Sequence, residues 1–106
     1  MTSRNDPRVV SEWIEAVWKA GGTDLLLTAD TAPLARVDGV YGPLNARVLT
    51  RDDCEMIVKR ILTPDLYNVF VENLQVDFSF TWQEHARIRG NAFVQRGTPA
   101  IALRII

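Results

Sequence analysis

The stretch HARIRGNAFVQRG, His85 to Gly97, sets three arginines among small and apolar residues with no acidic side chain between them. Arg87 and Arg89 stand two apart, the period that puts alternate side chains of a β-strand on one face, where such neighbours lie roughly 7 Å from each other. Two guanidiniums at that distance can cooperate around one phosphate or carboxylate, because each offers a planar fork of N–H donors. Asn91 continues the phase. Arg96 and Arg104 follow, and beyond Glu84 no acidic residue in the sequence balances any of them. Two readings of this face stand: an anion-binding surface, or a solvated sheet face whose arginines pair with Asp77 or Glu84 on a neighbouring strand.

Elsewhere, residues able to do chemistry are sparse. Cys54 is the only cysteine and His85 the only histidine; an internal disulfide cannot form, and a structural zinc site lacks ligands. No GxxxxGK[ST], GxGxxG or HExxH run occurs, so the chain has no phosphate loop, dinucleotide fingerprint or zinc-protease helix of its own. A self-sufficient enzyme is not expected, and no catalytic or metal-binding residue is assigned. The adjacent Asp52 and Asp53 read as solvent charges matched to a helix dipole. His85 reads as a strand-edge residue, Cys54 as an inert thiol, and Trp13 and Trp18 as core packing at helical spacing.

The elements that must position the arginines are announced by local signals. Asp6-Pro7 is a cap followed by a proline at the first helical position. Val10, Trp13, Ile14, Val17 and Trp18 then make an apolar stripe that must be buried, and Gly21-Gly22 ends the helix. Thr23 to Thr28 reads as a short buried strand. Leu34 to Val37 and Val40-Tyr41 flank Asp38-Gly39, a tight hairpin turn. A second helix starts at Thr50 and turns Met56, Ile57, Ile61 and Leu62 to one side; a third, from Pro64 to about Leu74, presents Leu66, Val69, Phe70 and Leu74. From Val76 the period changes to two, through Val76, Phe78, Phe80 and a half-exposed Trp82, then Ile88 and Val94, then Ile101, Leu103 and Ile105. These are three strands of an antiparallel meander.

The whole is 106 residues with 47% hydrophobic side chains, enough for one core and too few for two, so one domain spans residues 1–106. A net charge of -1 supplies no general field for nucleic acid, and no nucleic-acid partner is expected. The start MTSRNDPRVV lacks an apolar leader segment, and no apolar run approaches a membrane span. The sequence ends in ALRII, on a strand, which is the pattern expected of a domain boundary inside a longer protein.

GGTDLLLTADTAPLARVDGVYGPL, two helices, and VDFSFTW followed by HARIRGNAFVQRGTPAIALRII resemble, from Gly21 to Ile106 in order, the N-terminal domain of the type IV pilus retraction ATPases, the PilT-type twitching-motility motors of the type II/IV secretion ATPase superfamily. The resemblance implies an α+β, PAS-like single domain with an antiparallel sheet and about three helices. A RecA-like domain carrying the phosphate loop, absent from this chain, would follow it. It implies a cytoplasmic hexameric ring at the inner face of the cell membrane, with neighbouring subunits and an inner-membrane pilus platform protein as partners. ATP and magnesium would serve the parent protein, with no cofactor in this domain alone. Carried over residue by residue, the family's "aRFRvN" strand falls on Arg87, Arg89 and Asn91, its "QRG" on Arg96 and its closing arginine on Arg104; these would reach ATP phosphates only with the second domain present. Leucine replaces the family's histidine in the run ending at Leu27, Ile88 replaces an aromatic, and Gly90 replaces valine and is expected to loosen the strand. Retraction, pushing and other secretion roles stay open, as does the alternative of a free-standing PAS-like sensor or interaction module.

Overall fold

The computed structural model describes residues 7–44, 46–84 and 86–106; the Asp6 cap and His85 lie outside them. Three helices, α1 (Pro7–Lys19), α2 (Arg51–Ile61) and α3 (Pro64–Asn73), accompany six strands, β1 (Asp24–Leu27), β2 (Leu34–Val37), β3 (Val40–Pro43), β4 (Gln75–Trp82), β5 (Ala86–Gln95) and β6 (Thr98–Ile105). All strand pairings are antiparallel, in one sheet of order β3-β2-β1-β6-β5-β4. The α+β expectation, with its three helices and antiparallel sheet, holds. The expected meander β4-β5-β6 continues through β1 into the β2-β3 hairpin.

Local chemistry explains the punctuation. At the end of α1 the Gly21 amide donates to the Trp18 carbonyl (3.1 Å) and the Gly22 amide to Val17 (2.8 Å), with Gly21 at φ +72°. This is the Schellman pattern, in which the left-handed residue has no Cβ to crowd. Gly22 is fixed for another reason: a Cβ there would lie 2.7 Å from the Arg36 carbonyl oxygen and 2.9 Å from a Val17 methyl. Asp38 and Gly39 both take positive φ in the β2-β3 turn, as its tight primed type requires. At α2, Thr50 accepts from the Asp53 amide (3.1 Å) while Asp53 accepts from the Thr50 amide (2.8 Å). Asp53 is therefore a buried capping residue, which corrects its reading as a solvent charge.

One core joins α1 (Val10, Trp13, Ile14, Val17) and α2 (Cys54, Ile57, Val58) to a single face of the sheet, where Leu25, Leu27, Ile88, Ala92, Ile101 and Leu103 are buried. Several expected core residues fall elsewhere. Trp18 is 42% exposed and Leu74 59%, the latter because it caps α3 in the left-handed conformation. On α2, Cys54 and Val58 are buried instead of Met56 and Ile61, which are only half-buried. Trp82, expected to be half-exposed at its strand end, is 4% exposed because α1 covers it and Ser11 Oγ accepts its indole N–H at 3.0 Å.

Burial of Cys54, followed by the carboxylates of Asp53, Asp30 and Glu55, pushes its thiol from an ordinary 9.0 up to about 11. The neutral thiol is favoured in the fold, so this group's contribution to stability is full below pH 9 and is lost as pH rises through about 11. Iodoacetamide at pH 8 is expected to leave Cys54 unmodified in the folded protein and to alkylate it in urea. Equal rates in the two conditions would show that the thiol is accessible.

Candidate anion-binding face

With the helices gathered over one side of the sheet, the other side is open. Register lines its residues up across all six strands: Ser79 (β4) pairs with Arg89 (β5), Arg89 with Arg104 (β6), Arg104 with Asp24 (β1), Asp24 with Arg36 (β2) and Arg36 with Tyr41 (β3). Directly paired residues share a face, so three arginines, one carboxylate and a tyrosine form a single transverse row. Ile88, Gly90 and Ala92 point the other way and are buried, which fixes the exposed phase of β5.

The arginines differ in what they touch. Arg87 donates from Nη1 to Thr81 Oγ1 at 3.1 Å and from Nη2 to Ser79 Oγ at 2.9 Å. Arg104 donates from Nε to Asp24 Oδ2 at 3.1 Å. Arg36 stacks its guanidinium 5.9 Å from the centre of the Tyr41 ring. Arg89, exposed, makes no hydrogen bond or ion pair among the described residues, although it lies directly opposite the like-charged Arg104. Such a pairing costs stability unless an anion joins it. Shallow hollows of about 250 Å3 and 510 Å3 flank Arg89 on either side, the first bounded by Asn91, Asp24 and Arg104, the second by Arg87, Ser79 and Ile106.

The structure thus brings Arg87, Arg89 and Arg104 together and sets Arg96 apart. Arg96 occupies the β5-β6 turn at φ +53°, roughly 20 Å further along the strand from Arg89. There it borders a separate cleft of about 320 Å3 with Thr28, Asp30 and Thr31, beside a turn held by the Arg51 Nη2 donor to the Gly97 carbonyl (3.1 Å). Among the described residues Asp77 pairs with no arginine; its Oδ1 accepts from Asn91 Nδ2 at 2.8 Å. The absence of acidic residues after Glu84 does not leave Arg104 unbalanced, since β1 supplies Asp24.

Asp24 and Arg36 were not among the expected site residues. A signal for Asp24 does exist: an acidic residue beside three leucines in a short strand needs a partner if it is buried. Gly90 also differs from expectation. It is buried, and a Cβ there would lie 2.4 Å from the Phe78 ring, so that ring covers the glycine and fills the space a side chain would take.

In donor chemistry the row suits the oxygens of a phosphate or carboxylate. The one carboxylate of the row, Asp24, is engaged by Arg104, and Asp77 beside the row accepts from Asn91. Among the described residues no helix is long and apolar enough to cross a membrane.

No family model matches the chain. It is 34% identical over 93 residues to the type IV pilus retraction ATPase PilT of Pseudomonas aeruginosa, a match that covers 87% of this chain and 27% of that protein. The type IV pilus ATPase PilU of the same organism is 29% identical over 81% of the chain, and the twitching motility protein of Neisseria gonorrhoeae 31% over 70%; the chain covers 22% and 20% of these. It therefore spans only about a quarter or less of the length of these relatives. The crystal structure of the pilus retraction motor PilT with bound ADP superposes with a TM-score of 0.83 at 34% identity, over 90% of this chain and 28% of that one. The Legionella pneumophila ATPase DotB, at 19% identity over 94% of this chain and 29% of its own, shares the fold with a TM-score of 0.80. Sequence and fold agree that this chain is homologous to the N-terminal domain of the type IV pilus retraction ATPases, within the type II/IV secretion ATPase superfamily.

Proposed function

We propose that this chain is the N-terminal domain of a hexameric, cytoplasmic pilus retraction ATPase, and that its open sheet face closes on the phosphates of ATP held by a RecA-like domain of the same protein. That second domain would carry the phosphate loop and the magnesium ligands, so the domain described here would not hydrolyse ATP alone. Closing and opening of the cleft would couple hydrolysis to pilus retraction and twitching motility, through neighbouring subunits and an inner-membrane platform protein. The observation that carries the reading is Arg89, without a hydrogen-bond or ion-pair partner among the described residues, directly opposite Arg104 on an exposed face. Fixed guanidiniums at a transferring phosphoryl group stabilise the charge that develops there. Arg87, tied to Ser79 and Thr81, would border the same phosphates; Arg96 stands too far away to share them.

The test is ATPase turnover of the intact gene product with Arg89→Ala and Arg104→Ala, each checked for folding and hexamer assembly. Losing one such donor is expected to lower kcat about a hundredfold. Unchanged turnover in both variants would return the arginines to solvent. The rival, a sensor without enzymatic activity, is favoured by one feature, an apolar cleft of about 320 Å3 bounded by Ile14, Ile61, Leu66, Phe78, Phe80 and Trp82. An intact gene product that lacks ATPase activity altogether would favour that reading.

A further inference from the structure

We infer that Asp24 is the positioning residue for Arg104, holding its guanidinium so that the terminal nitrogens face the anion; this rests on the arginine reading above. Asp24 is buried, its side chain 11% exposed, and both carboxylate oxygens are used: Thr23 Oγ1 donates to Oδ1 at 2.6 Å and Arg104 Nε donates to Oδ2 at 3.1 Å. Its backbone platform is equally fixed. The Thr23 amide donates to the Arg36 carbonyl and the Ile105 amide to the Thr23 carbonyl, each at 2.9 Å, so β1 is tied on both sides at this level.

The consequence lies in how a guanidinium divides its donors. Using Nε on Asp24 leaves Nη1 and Nη2, which make no other hydrogen bond among the described residues, on a side chain that stays 59% exposed. Those two nitrogens are the fork that grips a phosphate in two places. A free arginine has many rotamers, and fixing one of them in advance lowers the cost of reaching the reacting geometry. Asp24 also places a negative charge near the anion. Its removal should therefore ease binding slightly while spoiling orientation, an opposition that a merely structural residue would not produce.

The experiment is steady-state ATPase kinetics of the intact gene product with Asp24→Asn, Arg104→Ala and the double variant. Asp24→Asn is expected to lower kcat about tenfold with KM unchanged or lower, and the double variant to match Arg104→Ala alone, because a positioning residue has nothing left to position. If Arg104→Ala is deficient while Asp24→Asn turns over like wild type, or if the two losses multiply, the inference is overturned and the arginine reading survives. If Arg104→Ala itself is unimpaired, the inference is overturned, and the arginine reading then stands or falls with Arg89→Ala. Should Asp24→Asn unfold, Asp24→Glu, which keeps the charge but shifts the carboxylate by one methylene, is measured in its place. A lowered kcat at unchanged KM supports the inference, and wild-type kcat overturns it.

Discussion

Ile88→Ala is expected to destabilise the domain by about 2–5 kcal/mol, while Arg89→Ala, one residue on, leaves its stability unchanged or slightly raised. Ile88 has no solvent exposure and pairs across the sheet with Phe80 and Ile105 on the covered face. Truncating it removes apolar contacts on the helix side of the sheet and leaves a cavity between elements that cannot fully close on it. Arg89 has no partner among the described residues to lose, and its removal relieves the opposition to Arg104. Thermal unfolding followed by circular dichroism should place the Ile88→Ala midpoint more than about 10 °C below wild type, since each kcal/mol moves a domain of this size by roughly 4–8 °C. If Arg89→Ala loses as much, the phase of β5 is inverted and the exposed arginine row does not exist.

Trp82→Ala should cost about 3–5 kcal/mol. The ring is 4% exposed, lies 5.9 Å from the Trp18 ring at 55°, and donates to Ser11, so a single side chain fastens the end of β4 to α1. Trp82→Phe separates the two contributions. It keeps most of the apolar surface but deletes the N–H donor and is expected to cost roughly 1–2 kcal/mol. Urea unfolding followed by fluorescence of the remaining Trp13 and Trp18 measures both. Near-equal midpoints for Trp82→Ala and wild type would mean that α1 does not depend on β4 for its seat.

What the sequence made legible is what is encoded within a few residues. The Asp38-Gly39 turn, the proline-led start of α3, the glycines closing α1 and the alternation along β4, β5 and β6 all follow from local backbone and periodicity arguments. What stayed hidden depends on contacts made far along the chain. Asp24 and Arg104 are 80 residues apart, and only the insertion of β1 between β2 and β6 makes them partners. Trp82 sits at a strand end, where periodicity says nothing about a helix lying across it. Asp53 shows the limit from the other side: two adjacent aspartates look alike in sequence, yet only the one three residues after Thr50 can complete the reciprocal cap. The arginine face was legible as a face, through the two-residue phase of Arg87 and Arg89. Its composition was not, because Arg36 and Asp24 reach it from strands whose own patterns are too short to assign a side.

The strand order also bears on how the protein is made. β1, which precedes the other strands of the sheet in chain order, is completed by β6, which follows them, through pairs such as Leu25 with Leu103. Until that final segment emerges from the ribosome, the β2-β3 hairpin and the β4-β5 pair can form only as separate pieces, and β1 carries an unpaired edge. Joining distant parts of the chain is the slow kind of folding event, because a long loop must close before any contact rewards it. Until β6 is available the nascent domain therefore leaves one edge of its leucine-rich first strand open, an edge that invites aggregation or chaperone binding.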